Sequence, residues 1–237
     1  MSKTLPLEED FFPPFEGFPK KGIDFLKKLK RNNNRPWFQS HKDEYGQYVK
    51  FPMHCLIATL GQKMSDIAPE IEFNPKKSIF RIYRDVRFSK NKAPYKTNIA
   101  ASFSFRRKKS PTETPGLYVG IEPGEIFVGG GLYMPAGDQL KAIRQSIVDD
   151  PERFLAVVEA PRFKSQFGEI EGEKLQKAPL GFPKDHPMIE HLKHKQFYVG
   201  KVYDDADCLK PRFANVVASV FEDCMPLVRW LAKVTGA

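Results

Sequence analysis

"GLYVGIEPGEIFVGGGLY", residues 116–133, reads as a β-hairpin. Apolar residues recur at every second position, the period that a strand with one buried face requires: Leu117, Val119 and Ile121. "EPGE" then places Pro and Gly at the central positions of a two-residue turn, and Ile126 to Val128 return as the next strand. The pattern predicts a hairpin over residues 117–132 and therefore an antiparallel sheet.

The same alternation extends outward from the hairpin. Residues 79–88 and 99–106 alternate in the same way, and "QFYVGKVY", residues 196–203, gives a further strand. Helical spacing of apolar residues precedes and follows these strands, as in "GIDFLKKLK". Because helices and strands are segregated along the chain, the sequence predicts an α+β fold.

We predict a single domain over residues 15–237 with a central antiparallel sheet. The sheet comprises residues 78–133, joined by the 196–203 strand, and packs against N-terminal and C-terminal helices. Residues 1–14, which contain Pro6, Pro13 and Pro14, are expected to form an irregular arm.

The composition is that of a globular protein of 237 residues, with 41% hydrophobic residues and 20 Phe. No apolar run reaches the roughly 18–20 residues of a membrane span, and no secretory signal is visible, so no membrane partner is expected. The three cysteines are widely spaced and form no CxxC pair: Cys55, Cys208 and Cys224. Reduced thiols in a cytoplasmic protein are therefore expected.

Positive charge is concentrated in one segment. Residues 76–109 hold 12 Lys and Arg and a single acid, Asp85, although the net charge of the whole chain is only +9. A segment of this kind usually faces an anion such as a phosphate, a carboxylate or a nucleic acid. "RRKK", residues 106–109, extends this surface and is expected to be a solvated hairpin tip.

Arg84 is the most unusual residue of that segment. The alternation of residues 79–88 puts it on the apolar face, between Ile82 and Val86. A guanidinium group there either enters a ligand pocket or pairs with a buried carboxylate. The loop that follows and the end of the hairpin supply further candidates. The predicted ligand-binding residues are Arg81, Arg84, Arg87, Lys92, Tyr95, Lys96, Gly130 and Tyr133.

The candidates for catalysis and for metal binding are weaker. No nucleophile and base stand at a recognisable spacing, so Asp85, Glu122 and His186 are only the first titratable residues to test. Asp85 is expected to stay ionised because the adjacent Arg side chains lower its pKa. His191 and His194 lack the H-E-x-x-H spacing, so no metal site is predicted and no cofactor is identified. The glycines at residues 129–131 are expected to form a structural bulge.

Four blocks of sequence together resemble one known family: "GFPKKGIDFLKKLKRNNNRPWFQSHKDEY", "RIYRDVRFSKNKAPYKTN", "GLYVGIEPGEIFVGGGLYMP" and "APLGFPKDHP". They are similar, in the same order, to the conserved hypothetical proteins called domain of unknown function 2461. The resemblance runs from about Phe15 to about Trp230. It implies a single domain and carries no catalytic residue with it.

Two hypotheses of function follow from the residues. The first is a pocket for a small anionic ligand bearing phosphate or carboxylate, a kind of site that also suits an enzyme of unknown reaction. The second is a nucleic-acid-binding module that uses the basic surface of residues 76–109. A concave site with Arg84 aimed inward favours the pocket, whereas a flat basic surface with exposed Tyr83 or Tyr95 favours nucleic acid. A structural protein without its own ligand is the third alternative.

Overall fold

The computed structural model describes residues 12–87, 90–105 and 113–237. In this part of the chain the fold is α+β, as predicted, with one four-stranded antiparallel sheet. The strands lie side by side in the order of the chain: β1 Ile99–Ser104, β2 Gly116–Glu122, β3 Glu125–Leu132 and β4 Phe197–Tyr203. Residues 106–109 and Phe88 lie outside the described residues.

The predicted hairpin is confirmed. Strands β2 and β3 pair continuously from Gly116 opposite Gly131 to Glu122 opposite Glu125. Gly124 has a φ of 89°, which glycine adopts without a steric penalty, and its N–H donates to Asp205 at 2.8 Å. The expected bulge at residues 129–131 is wrong, because these glycines pair in register with both β2 and β4.

Helices at the N-terminal side form one layer: α1 Lys20–Arg31, α2 Arg35–Ser40, α3 Lys42–Tyr45, a π-helical turn Gly46–Lys50 and α4 Phe51–Met64. The Asn34 side chain accepts from the Trp37 N–H and caps α2, whose first turn contains Pro36. Gly22 permits the close crossing of α1 and the π-helical turn. A Cβ atom there would lie 2.1 Å from the Tyr48 carbonyl oxygen.

The remaining helices follow β3 and β4: α5 Gly137–Asp149, α6 Pro151–Val158, α7 Pro161–Phe167, α8 Ile189–Leu192, α9 Asp205–Cys208 and α10 Phe213–Thr235. Asp150 caps α6 by accepting from the Arg153 N–H, as proline at the first helical position suggests. Helix α10 lies across one face of the sheet. The Phe103 and Phe221 rings meet there edge to face, 5.6 Å apart.

One continuous core joins the helices to this covered face of the sheet. Val119, Val128 and Val199 point into it and are fully buried. Each such side chain stabilises the fold by roughly 1.5–3 kcal/mol when removed from water. Within residues 12–87, 90–105 and 113–237, helix α10 makes by far the most extensive contact with the sheet, and we call the sheet face opposite α10 the open face.

The predicted strand at residues 79–88 is wrong in its extent. Ile79 bridges to Ala101 beside β1, but the chain then leaves the sheet. From there it pairs with residues 94–96 instead: Arg84 N–H donates to the Pro94 carbonyl and Lys96 N–H to the Ile82 carbonyl. Residues 82–84 and 94–96 therefore pair with each other and not with the sheet.

The predicted arm is described only from Phe12 onward. The Phe12 ring stacks on the His54 ring with centroids 5.0 Å apart, and Phe15 is buried. In the described residues, no helix combines the length and the apolar character that crossing a membrane requires.

Candidate ligand-binding site

The open face of the sheet is built from small residues and aromatic rings. Ala100 and Ser102 of β1 face this side, and glycines occupy the corresponding positions in the next strands: Gly116, Gly120, Gly129, Gly131 and Gly200. Three of the strands carry the same local pattern, an aromatic residue followed by Val and Gly. In each case Val points to the core, so the ring and the glycine share the open face.

The glycines allow the rings to lie down along the sheet. A Cβ atom on Gly120 would lie 2.7 Å from Tyr118 Oη and 2.9 Å from its ring. A Cβ atom on Gly200 would lie 2.2 Å from the Phe127 ring. Any larger residue at these positions displaces the rings, so the glycines determine the shape of the open face.

These rings belong to a row that crosses the sheet. The centroid distances are 6.3 Å from Phe80 to Tyr118, 6.1 Å from Tyr118 to Phe127 and 6.2 Å from Phe127 to Tyr198. Tyr133, which follows β3, lies 5.6 Å from Tyr198. Above the row is a cavity of about 450 Å³, within the usual size of a small-molecule site. We call it the open-face cavity.

Lys96 supplies positive charge to this cavity. Its Nζ lies 5.1 Å from the centre of the Phe80 ring, a cation–π distance. Burial lowers the pKa of Lys96, and the charge of Arg81 lowers it further. Among the described residues, no carboxylate oxygen lies within 4.0 Å of Lys96 Nζ. The half-buried ammonium group therefore lacks a counter-ion from this part of the protein.

The backbone beside Lys96 is held by the turn between α1 and α2. The Asn33 side chain makes two hydrogen bonds of 3.0 Å with Tyr95, donating to its carbonyl and accepting from its N–H. The Tyr95 ring is buried and stacks on Phe38 at 4.2 Å. Tyr95, a predicted ligand-binding residue, is therefore an anchor of this loop and leaves Lys96 to face the cavity.

Gly130 and Tyr133 also line the cavity, as does the polar side chain of Asn98. The Tyr133 ring is 55% exposed and stands at the rim. Burial raises the pKa of Tyr118, with smaller contributions from Glu122 and Tyr133. Burial likewise raises the pKa of Tyr198. Both phenols are therefore protonated at neutral pH and available as hydrogen-bond donors.

The other predicted basic residues lie outside the cavity. The side chains of Arg81, Arg84, Arg87 and Lys92 are all exposed. We call residues 81–87 and 90–92 the outer basic segment. The inward position predicted for Arg84 is wrong, because the alternation that placed it there assumed a strand of the sheet. The chain has left the sheet at this point, so neither a buried pocket contact nor a buried ion pair applies.

Asp85 is paired within this segment. Arg87 donates to it from Nε at 3.1 Å and from the terminal nitrogen at 2.8 Å. These bonds, together with the Arg87 backbone N–H, lower the pKa of Asp85 to about 2, the predicted direction. Lys92 Nζ donates to the Val86 carbonyl at 2.9 Å. Part of the charge of the outer basic segment is thus already engaged.

The remaining catalytic candidates do not line the open-face cavity. Glu122 ends β2, where it accepts from Thr97 Oγ1 at 3.1 Å and lies 3.9 Å from Lys30 Nζ. His186 accepts the Met188 N–H at its Nδ1, 3.1 Å away, in the loop before α8. The structure therefore brings Asp85, Glu122 and His186 neither together nor to the cavity.

The histidines near α8 do not form a metal centre in the described residues, where no group of three His, Cys, Asp or Glu side chains is placed to hold an ion. His194 is buried, with 2% exposed, and its Nδ1 has no hydrogen-bond partner. Burial lowers its pKa to about 4, so it is neutral at physiological pH.

Sequence reasoning missed most of the cavity wall. Phe80, Tyr118, Phe127, Tyr198 and Asn98 were not among the predicted site residues. The available signal was the pattern of an aromatic residue, Val and Gly, which occurs at residues 118–120, 127–129 and 198–200. A glycine two positions after an aromatic residue, on the uncovered face of a strand, indicates a ring that lies along the sheet.

The fold and the cavity together define an α+β domain with a ligand-sized, ring-lined site on the open face of its sheet. The chain belongs to the family of conserved hypothetical proteins called domain of unknown function 2461, whose model matches residues 21–230. A search of curated proteins gave no match.

Proposed function

We propose that this protein binds a small anionic ligand, bearing phosphate or carboxylate, in the open-face cavity. The observation that carries the proposal is the environment of Lys96. Its ammonium group is half-buried beside the Phe80 ring, and no described carboxylate neutralises it. A bound anion supplies the missing partner, and a charged hydrogen bond of this kind is worth roughly 1.5–3 kcal/mol.

A thermal-shift screen of phosphorylated and carboxylated small molecules, followed by calorimetric titration of the hits, tests the proposal. A ligand at a hundred times its Kd stabilises the protein by about 2.7 kcal/mol. We expect Lys96→Met to weaken binding of such a hit by roughly 1.5–3 kcal/mol. Arg84→Met is the matched control, since it removes an exposed cation outside the cavity, and it is expected to leave the Kd unchanged. Equal affinities in the wild type and Lys96→Met would reject the site.

A second candidate function is binding of single-stranded nucleic acid by the outer basic segment. Tyr83 is 50% exposed in this segment, beside Arg81 and Arg84, and bases stack on exposed rings. Fluorescence anisotropy with a labelled oligothymidylate over a range of salt concentrations tests this idea. Arg84→Met then lowers the salt slope by about one, whereas Lys96→Met does not. If neither oligonucleotides nor small anions bind, the structural alternative gains support.

We further infer that the protein works in the cytoplasm. Cys55, Cys208 and Cys224 are all free and buried, which suits a reducing compartment.

A further inference from the structure

The rings of the open-face cavity lean over glycines of the sheet. Tyr118 lies over Gly120, and Phe127 lies over Gly129 and Gly200, at distances that leave no room for a Cβ atom between ring and backbone. The rest of each ring lines the cavity. Ring faces carry the negative part of the aromatic quadrupole and pack best with another flat ring or with its edge.

The rings do not form a flat platform. Neighbouring planes are inclined by 47° between Phe80 and Tyr118 and by 52° between Tyr118 and Phe127. Between Phe127 and Tyr198 the angle is 77°. A run of parallel stacked bases needs parallel platforms, and this surface has none. A trough of inclined faces instead suits a single planar group that meets one ring face to face and the next at its edge.

The polar groups lie at the two ends of this trough. Lys96 is beside Phe80, next to the β1 edge of the sheet. The Tyr198 hydroxyl belongs to the β4 edge, and Tyr133 stands beside it at the rim. Among the described residues, neither hydroxyl has a hydrogen-bond partner, so both are available to a ligand. The cavity therefore offers a cation at one end, phenols at the other and ring faces between them.

We propose that the ligand is a planar aromatic or heteroaromatic acid. Its ring system lies in the trough formed by Tyr118, Phe127 and Tyr198, its phosphate or carboxylate group contacts Lys96, and a polar substituent at its far end reaches the phenols. This assignment rests on the proposed function and adds the chemical class of the ligand to it.

Matched probes test anion binding in the cavity and the preference for an aromatic ring separately. 2-Naphthoate and its fully saturated analogue, decahydro-2-naphthoate, carry the same charge and carbon skeleton, but only the first is flat and aromatic. 2-Naphthyl phosphate and decahydro-2-naphthyl phosphate repeat the comparison with the other headgroup. We expect the aromatic member of either pair to bind roughly two- to tenfold more tightly, the worth of an aromatic contact beyond its area.

Phe127→Leu tests the contact itself, because it keeps apolar bulk and removes the ring face. It is expected to abolish the aromatic preference while leaving the Kd of the saturated probe within about twofold, which also shows that the variant is folded. Lys96→Met is expected to weaken both probes of a pair by the same factor. Ligand proton NMR gives an independent readout, since ring protons above an aromatic face shift upfield on binding.

The outcomes are distinguishable. If flat and saturated probes bind equally and both depend on Lys96, the anion site stands and the aromatic assignment is overturned. If the aromatic preference survives in Phe127→Leu and ring protons do not shift, the assignment is overturned as well. If no probe of either pair binds, or if binding ignores Lys96→Met, the proposed function fails together with the inference.

Discussion

The open-face cavity and the outer basic segment carry charge of the same sign in opposite environments. Lys96 is half-buried against the Phe80 ring and has no carboxylate partner in the described residues. Arg87, only nine positions earlier in the sequence, is exposed and makes a bidentate contact with Asp85. The number of cations in a segment therefore says little about a site. What matters is which cation is desolvated and left without a counter-ion.

The largest effect is expected from Gly200→Ala in the floor of the cavity. The new Cβ atom would lie 2.2 Å from the Phe127 ring, and the Val128 carbonyl oxygen lies 2.8 Å away on the same side. Moving the ring costs roughly 1–3 kcal/mol of stability, as overpacking generally does, and disturbs the site. Urea unfolding measures the stability, and titration with 2-naphthoate measures the site.

Gly46→Ala is the matched control for that variant. Gly46 is helical, and no atom lies within 4 Å of the position its Cβ would occupy. Its stability is expected to be unchanged or raised by less than about 1 kcal/mol. If both variants lose the same stability, the glycines of the open face are not needed to make room for the rings.

The next effect is a loss of anion affinity at alkaline pH. Lys96 binds an anion only while it is protonated, and burial together with Arg81 lowers its pKa from the ordinary value of 10.5. Affinity for 2-naphthoate is therefore expected to fall as the pH rises through that lowered pKa, before 10.5 is reached. The carboxylate of the probe stays ionised over this range, so only the protein titrates.

Lys96→Met should remove this alkaline limb and leave a weak, pH-independent affinity. An alkaline limb that persists in Lys96→Met would assign the titration to another group. That result would erase the difference between Lys96 and the cations of the outer basic segment.

A smaller effect is expected from Asn33→Ala, which removes both hydrogen bonds that hold the Tyr95 backbone. Both bonds are only partly buried, so each is worth about 0.5–1 kcal/mol and stability should fall by roughly 1–2 kcal/mol. The Kd for the anion should rise as well, because Lys96 follows Tyr95 directly. Asn32→Ala is the control: its side chain donates only to Lys28 within α1, and it should cost about 0.5 kcal/mol. Equal losses in the two variants would show that the turn does not position Lys96.

The smallest effect is expected from Arg84→Met. Arg84 is exposed, and within the described residues it makes no ion pair. Surface changes of this kind alter stability by less than about 0.5 kcal/mol. Thermal melts in chloride and in phosphate should therefore superimpose on those of the wild type. A loss of several kcal/mol would indicate that Arg84 makes a structural ion pair and that the outer basic segment is packed into the fold.

The features that follow from the amino-acid sequence alone are those that depend on neighbours along the chain. The hairpin of β2 and β3 follows from alternation and from "EPGE", and the β4 strand follows from alternation alone. The pairing of Asp85 with Arg87 is also local, since two residues on one face of an extended chain are within reach. The family match and the α+β class could also be predicted without the structure, because both depend on the order of residues along the chain.

Which of the basic residues faces a cavity depends on how the folded elements pack together. Alternation assigns side chains to two faces, but helix α10 decides which face is covered, and no local pattern reveals where a chain leaves the edge of a sheet. Arg84 was therefore placed inside and is outside, whereas Lys96 was one cation among several and is the one at the cavity wall. The Tyr198 ring is a neighbour of the Phe127 ring because β4 pairs with β3 across a long stretch of chain. Such pairing depends on the packing of the whole core, and no local stretch of sequence shows that packing.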